Sequence, residues 1–202
     1  LLQLKLLLDQ GNKIENVFLQ LDYQYEDANR MSTQKSVALP FIHKTIIKDH
    51  IKDKEQDFFK LYYIPFYRYL KSDFKIGFRE LFSTLIGKSP KINPEDGFTP
   101  KYGTVKLDTK VLPVSIKKNN ETIDAFVALC KKSNIKLVLF CAPFCSKVQN
   151  KDYIEKLKIK QPKLQVFSNS FNDSLFYDCS HLNNKGALLF TKRIISRNFK
   201  NE

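Results

Sequence analysis

The amino-acid sequence predicts an α/β fold built on a doubly wound parallel sheet. The run Ile-Lys-Leu-Val-Leu-Phe-Cys at residues 135–141 is apolar and β-branched, as expected for a strand buried on both faces of such a sheet. Short strand-like runs also alternate with helical segments along much of the chain. A length of 202 residues with 43% hydrophobic content is enough for a substantial core, which excludes disordered and fibrous classes.

The first elements along the chain are a helix and a strand. Residues 1–9 have a helical apolar face that ends at Gly11, and residues 14–21 form a short apolar strand, so the two make the second half of a βαβ unit. The chain does not start with Met, and Leu1 already lies within the apolar face of the helix. We therefore expect a fragment that lacks one or more N-terminal strands. Neither a signal peptide nor a transmembrane run of about 18 apolar residues is recognised in it.

A helical, aromatic-rich region interrupts the α/β pattern at residues 36–86. Its densest part, residues 58–69, contains Pro65, which must break or kink the helix. These aromatic side chains suit the core of an inserted helical part, and the alternatives are an acyl or glycan groove or stacking with bases. Residues 87–114 have turn residues and little periodicity, which predicts a long loop. We predict one domain over residues 1–202, into which residues 36–114 are inserted.

The α/β pattern resumes after the inserted region. Asn119 or Asn120 can cap a helix over residues 121–133, and Asn134 can terminate this helix directly before the strand at residues 135–141. Three further elements are predicted beyond that strand: a helix at residues 147–158, a strand at 164–167 and a closing amphipathic helix at 183–199.

The net charge of +13 favours an anionic partner such as nucleic acid or a lipid surface. Only 5 of the 34 basic residues are Arg, however, and the Lys residues are spread along the chain. Recognition of phosphates and bases favours clustered Arg, so the charge indicates a solvated basic surface. No nucleic-acid partner is expected, and a basic nucleic-acid-binding protein is the less favoured alternative.

The cysteines and histidines give no clear metal or redox motif. Four cysteines lack a Cys-x-x-Cys pair, so neither a zinc site nor a dense disulfide framework is expected. Cys141 and Cys145 flank Pro143 and could be redox partners, although buried inert thiols are the favoured interpretation. His43 and His50 would lie about two helical turns apart on one face, where a polar surface is favoured over a metal site. We predict no metal and no cofactor.

Three segments follow strand ends, where ligands bind in open parallel sheets: residues 22–24, 142–146 and 178–181. The last contains Asp178 and His181, three residues apart. An Asp in that position can accept a hydrogen bond from the imidazole Nδ1–H, which fixes the tautomer and leaves Nε2 to take a proton from a nucleophile. The alternative is that Asp178 and Ser180 merely cap a turn.

The residues around this pair extend the pattern. Asp178-Cys179-Ser180-His181-Leu182-Asn183, followed by Gly186, resembles the Asp-x-x-His-Leu/Pro-Asn-x-x-Gly element that opens the last helix of SGNH/GDSL-type serine hydrolases. The resemblance covers residues 1–21 and 121–199. It implies a flavodoxin-like, SGNH-hydrolase-like sheet and an esterase or acyltransferase acting on an acylated carbohydrate or lipid. It also implies that His181 is the general base and that Asp178 orients it.

The family's nucleophile is not found in this chain. The serine of these hydrolases follows the first strand in a Gly-Asp-Ser-like motif, and no Gly-Asp-Ser occurs here. The family's Asn for the oxyanion hole is not found either; Asp22 or Gln24 stands near its place. We favour an upstream segment that carries the serine, with or without a membrane anchor. The alternatives are a non-catalytic binding or structural module of the same fold, or an internal serine, for which Ser146 is the best candidate.

The resemblance also sets expectations about location and partners. A bacterial cell envelope is the location that it implies. Membrane association is expected only through the missing N-terminal segment. A sheet that lacks a strand would also expose an edge, through which a homo-oligomer could form.

Overall fold

The structure is a computed structural model that describes residues 1–26, 38–52, 54–71, 82–83, 85–87, 98–167 and 171–199. The chain separates into two compact units. A helical unit comprises residues 1–14 and 28–91, and a sheet unit comprises residues 15–27 and 92–202.

The helical unit contains four described α-helices. They are α1 (Leu2–Asp9), α2 (Thr45–Lys52), α3 (Phe58–Tyr63) and α4 (Tyr67–Lys71), with a short 3-10 turn at Leu39–Phe41 before α2. Amphipathic spacing buries one side of these segments, and the resulting core is aliphatic. Its buried members are Leu2, Ala38, Leu39, Ile42, Ile47, Ile51 and Leu61.

Pro65 breaks the aromatic helical segment, as predicted from the sequence. Helix α3 ends at Tyr63 and α4 begins at Tyr67, because a proline in a helix interior removes a hydrogen bond and its ring clashes with the preceding turn. Only part of the aromatic run reaches the core: Phe58 packs against it, whereas Phe59 is 68% exposed. The expected role in core packing therefore holds for only one side of the aromatic run.

Helix α1 belongs to the helical unit and not to the sheet, which differs from the expected division of the chain. Its residue Leu2 is buried in the same core as Leu39 and Ile42. The expected inserted region, residues 36–114, is likewise divided, because the chain from residue 92 onward belongs to the sheet unit. Apolar side chains of α1 thus determine where this helix packs, which periodicity alone does not reveal.

The sheet unit is built on three parallel strands, so the predicted α/β class with a parallel sheet is confirmed. Strands β1 (Asn16–Gln20), β3 (Lys136–Cys141) and β5 (Gln165–Val166) lie in the order β1-β3-β5. Val17 is opposite Leu137 in the register of the first pair. The most apolar strand of the sequence is therefore central, as expected for a strand with helices over both faces.

A two-residue ladder lies in the segment that the sequence analysis assigned to a loop. Strand β2 (Lys110–Val111) pairs in parallel with β4 (Val148–Gln149). Because β4 precedes it, the following helix α6 (Asp152–Lys160) begins later than the predicted residue 147. Two residues are too short to show a strand pattern in a sequence.

The other predicted helices are present. Helix α5 (Glu121–Lys132) begins after Asn120, whose side chain accepts a hydrogen bond from the Ile123 N–H. The chain leaves α5 through Asn134, which has a positive φ of 54°. The closing helix α7 (Asn184–Asn198) follows.

The two faces of β3 are covered by different helices. Phe140 contacts Phe190 of α7, with ring centroids 5.7 Å apart. The alternate residue Leu139 is buried in a cluster with Ile123 of α5 and Leu157 of α6. Successive side chains of a strand point to opposite faces, so β3 is packed on both sides. Among the described residues, no helix is both long and apolar enough to cross a membrane.

Candidate active site

Asp178 and His181 lie in a tight antiparallel hairpin beside the start of α7. Strand β6 (Phe176–Asp178) pairs with β7 (His181–Leu182), and Asp178 is the register partner of His181. The sequence predicts a loop at this place, whereas the structure has a hairpin. The hairpin brings the two side chains together by backbone geometry, since residues directly opposite each other on antiparallel strands are close neighbours.

The two side chains are hydrogen-bonded. His181 Nδ1 is 2.9 Å from Asp178 Oδ1 and 3.0 Å from Oδ2. Oδ1 also accepts a hydrogen bond from the Ser180 N–H at 2.8 Å. Asp178 therefore serves both as a turn cap and as the partner of the imidazole, so the two interpretations of the sequence motif are compatible.

The electrostatics of the hairpin favour an ionised Asp178. Partial burial raises the pKa of this carboxyl, but hydrogen bonds from the Ser180 N–H and from His181 outweigh burial, and the pKa is lowered overall. A carboxylate can only accept hydrogen bonds, so it selects the tautomer with a proton on Nδ1. No hydrogen bond to His181 Nε2 is found among the described residues, and the side chain is 56% exposed. The imidazole is thus largely open to solvent.

A disulfide fixes the hairpin to the segment that follows β3. Cys179, which lies between Asp178 and His181, is bonded to Cys145. The considered pairing of Cys141 with Cys145 is therefore wrong, and so is the favoured interpretation of Cys145 as an inert free thiol. Cys141 is a free and fully buried thiol, and desolvation by burial, with a smaller contribution from Asp22, raises its pKa to about 12. Such a thiol is inert at neutral pH.

Asn183 and Gly186, the remaining members of the sequence motif, hold the hairpin against α7. The buried Asn183 side chain accepts a hydrogen bond from the Gly186 N–H at 3.0 Å and donates one to the Ser174 carbonyl at 2.7 Å. A Cβ atom on Gly186 would lie 2.1 Å from the Leu175 carbonyl oxygen, so only glycine fits there. These two residues position the hairpin against the helix.

The segment after β1 contributes a buried carboxylate that is already engaged. Asp22 is 2% exposed. It accepts hydrogen bonds from the Gln20 side chain at 2.7 Å and from the Gln24 N–H at 2.8 Å. Asp22 therefore stabilises the turn into the 3-10 segment Tyr23–Glu26. Among the described residues, neither Asp22 nor Gln24 is hydrogen-bonded to Asp178 or His181.

Lys110 is a residue of this region that the sequence analysis did not find. Its Nζ donates a hydrogen bond to Ser180 Oγ at 3.0 Å. The same Nζ lies 3.7 Å from the centroid of the Tyr23 ring. The three segments that follow strand ends, residues 22–24, 142–146 and 178–181, are therefore joined. Lys110 contacts the first and the third, and the disulfide of Cys145 joins the second to the third. One Lys among many, in a segment without periodicity, gave no sequence signal.

Ser146, the internal serine considered as a substitute nucleophile, has a different partner. Its hydroxyl donates to Asp173 Oδ2 at 2.5 Å and its N–H to Oδ1 at 2.8 Å. These two hydrogen bonds, led by that of the hydroxyl, lower the pKa of Asp173. The structure places no hydrogen bond between Ser146 and the described atoms of His181.

His43 and His50 lie in different surroundings. His43 precedes α2, and its Nε2 is 3.2 Å from Arg68 Nη1. His50 lies in α2, where burial and the nearby Lys54 and Lys5 lower its pKa. In the part of the chain that the structure describes, no group of three or more His, Cys, Asp or Glu side chains is arranged to hold a metal ion.

Comparison with known proteins adds no relative. No protein-family model, no curated protein and no solved structure matches this chain.

Proposed function

We propose that the sheet unit is an SGNH/GDSL-like domain of flavodoxin-like topology that catalyses ester hydrolysis or O-acyl transfer. The observation that carries this proposal is the contact of His181 Nδ1 with both carboxylate oxygens of Asp178, at 2.9 and 3.0 Å, on a solvent-accessible hairpin. The position of the pair beside the start of the closing helix supports the same assignment, because SGNH/GDSL-type hydrolases open their last helix with this element. The proposed substrates are acylated carbohydrates or lipids.

In the proposed reaction, Nε2 of His181 is the general base. It takes the proton of a hydroxyl group, either of a serine or of water, whose oxygen attacks the ester carbonyl. The proton then passes from the imidazolium to the alkoxide that leaves as an alcohol. Asp178 keeps the proton on Nδ1 and stabilises the imidazolium while it exists.

The experiment is hydrolysis of p-nitrophenyl acetate by the full-length protein and its variants. We expect His181→Gln to lower the rate about 100-fold or more, since a positioned general base contributes that much. Asp178→Asn should also lower the rate, because an amide does not select the required tautomer. His43→Gln is the matched control, since exposed imidazoles hydrolyse activated esters without any fold. Equal rates for wild type, His181→Gln and His43→Gln would reject the proposal.

A second candidate function is a non-catalytic binding or structural module of the same fold. It is favoured by one observation: among the described residues, no serine hydroxyl is hydrogen-bonded to His181. This candidate predicts that wild type hydrolyses the ester no faster than the His181→Gln variant. The two proteins should also unfold at the same urea concentration.

A further inference from the structure

The backbone of Lys110 is held in place by pairing with the segment after β3. Lys110 is the register partner of Val148 in the β2–β4 ladder. The next residues continue this pairing, because the Leu112 N–H donates to the Gln149 carbonyl at 3.1 Å and the Leu112 side chain is buried. The Lys110 side chain therefore starts from a fixed position and ends between Tyr23 and Ser180.

The positive charge of Lys110 is not matched by a carboxylate. Its contacts are the Ser180 hydroxyl at 3.0 Å and the Tyr23 ring at 3.7 Å, and both groups are neutral. No carboxylate lies within ion-pair distance of its Nζ in the described parts of the chain. The carboxylate of the neighbouring hairpin, Asp178, is already bound to His181 and to a backbone N–H.

Two other lysines of the sheet unit do have a carboxylate partner. Lys156 lies 2.9 Å from Asp152, and Lys106 lies 3.6 Å from Asp108. Lys110 instead brings an unneutralised ammonium to Ser180, the residue directly before His181. A cation that is positioned by neutral groups retains its attraction for an anion from solution.

The donors at this point suit a carboxylate or a phosphate group. An ammonium has three donors, of which Lys110 uses one for Ser180 Oγ. Because that oxygen accepts from Lys110, the proton of the Ser180 hydroxyl is available for a second acceptor. Ammonium and hydroxyl donors side by side are a common arrangement for binding anionic groups.

We propose that Lys110, with Ser180, is the specificity-determining element of this site and selects esters that carry a carboxylate or phosphate group near the reacting carbonyl. This role rests on the proposed ester chemistry of His181. Lys110 donates a hydrogen bond here, so it is a binding residue and not a base. Its substrate class is therefore anionic acyl esters.

The first test is a titration with inorganic phosphate and with succinate. Binding is measured from the amide chemical shifts of Ser180 and His181. We expect saturable shifts with at least one of the two anions. The anion that binds shows whether the site selects a phosphate or a carboxylate group on the ester. Lys110→Met should weaken this binding at least tenfold, and Lys110→Arg should largely restore it. Lys101→Met is the matched control, because Lys101 lies over the Tyr177 ring of the same hairpin, 4.5 Å from its centroid.

The second test compares p-nitrophenyl acetate with mono-p-nitrophenyl succinate. Lys110→Met should raise KM for the succinate ester about tenfold and change kcat/KM for the acetate much less. If neither ester is hydrolysed but phosphate or succinate still binds through Lys110, the ester chemistry fails and the anion site stands. The inference on Lys110 is overturned if binding is absent, if Lys101→Met weakens it equally, or if Lys110→Met leaves the preference between the esters unchanged.

Discussion

Cys145, in the segment after β3, is bonded through its Sγ atom to Cys179, which lies between Asp178 and His181. Both cysteines are almost fully buried. The two cysteines have a sequence separation of 34. The loop that their bond closes contains the helix α6 and the strand β5. The bond therefore fixes the hairpin of the candidate site to the central strand of the sheet.

Removal of this disulfide should destabilise the protein. In the double variant Cys145→Ala/Cys179→Ala, we expect the free energy of unfolding to fall by roughly 2–4 kcal/mol, because the unfolded chain loses a cross-link over a loop of this size. Urea unfolding with and without a reducing agent measures the change. Wild type should lose stability on reduction, whereas the double variant should not respond. A thiol titration of the denatured, unreduced protein should find the two thiols of Cys130 and Cys141, and four would contradict the bond.

The ionised form of Asp178 should stabilise the folded protein. Its pKa is lowered on folding, so this stabilisation is complete above the ordinary carboxyl range near pH ~4 and is lost as the pH falls through the lowered pKa. Asp178→Asn should therefore cost about 1 kcal/mol at pH ~7 and almost nothing at pH ~2. Urea unfolding of both proteins across this range gives the difference. A cost that is the same at both ends would exclude an ionic origin.

Ser146 should act on Asp173 and not on an ester. Its hydroxyl and N–H lower the pKa of Asp173, so Ser146→Ala should move that pKa back toward the ordinary carboxyl value. Carboxyl carbon resonances followed through a pH titration measure the shift. Ser180→Ala is the matched control and should leave the pKa of Asp173 unchanged. Hydrolysis of p-nitrophenyl acetate should be the same for Ser146→Ala and wild type; loss of turnover would return Ser146 to the list of nucleophiles.

A side chain at Gly186 should be poorly tolerated. The new Cβ atom of Gly186→Ala would lie 2.1 Å from the Leu175 carbonyl oxygen, and backbone must move to relieve the clash. We expect a loss of about 2–4 kcal/mol in the free energy of unfolding. Lys185→Ala, at the exposed neighbouring position of the same helix, should change stability by less than about 0.5 kcal/mol. Equal effects of the two variants would show that the close approach is relieved without cost.

Elements that are determined by neighbouring residues could be predicted from the sequence. The strand at 135–141 and the helix at 121–133 were found from apolar spacing and capping residues, and the structure places them at Lys136–Cys141 and Glu121–Lys132. The pairing of Asp178 with His181 was also accessible, because only two residues lie between them and a tight turn suffices to join their side chains.

Contacts between distant residues could not be predicted in the same way. Cys145 and Cys179 are separated by 34 residues, and the spacing of four cysteines does not determine which of them pair. Lys110 and Ser180 are 70 positions apart in the sequence, and the two-residue ladder that fixes Lys110 is too short to be recognised there. The packing of α1 in the helical unit also depends on residues far along the chain, such as Leu39 and Ile42.

The pairing of β1 with β3 has a consequence for how the protein folds. Val17 and Leu137 are register partners although about 120 residues separate them along the chain. Closing so long a loop costs entropy before any contact compensates for it, and proteins dominated by such distant contacts fold slowly. The helices of residues 39–71 are local and can form early, whereas the parallel sheet must wait until most of the chain has been synthesised. Apolar β1 thus spends much of that time without its partner, which exposes it to aggregation during synthesis.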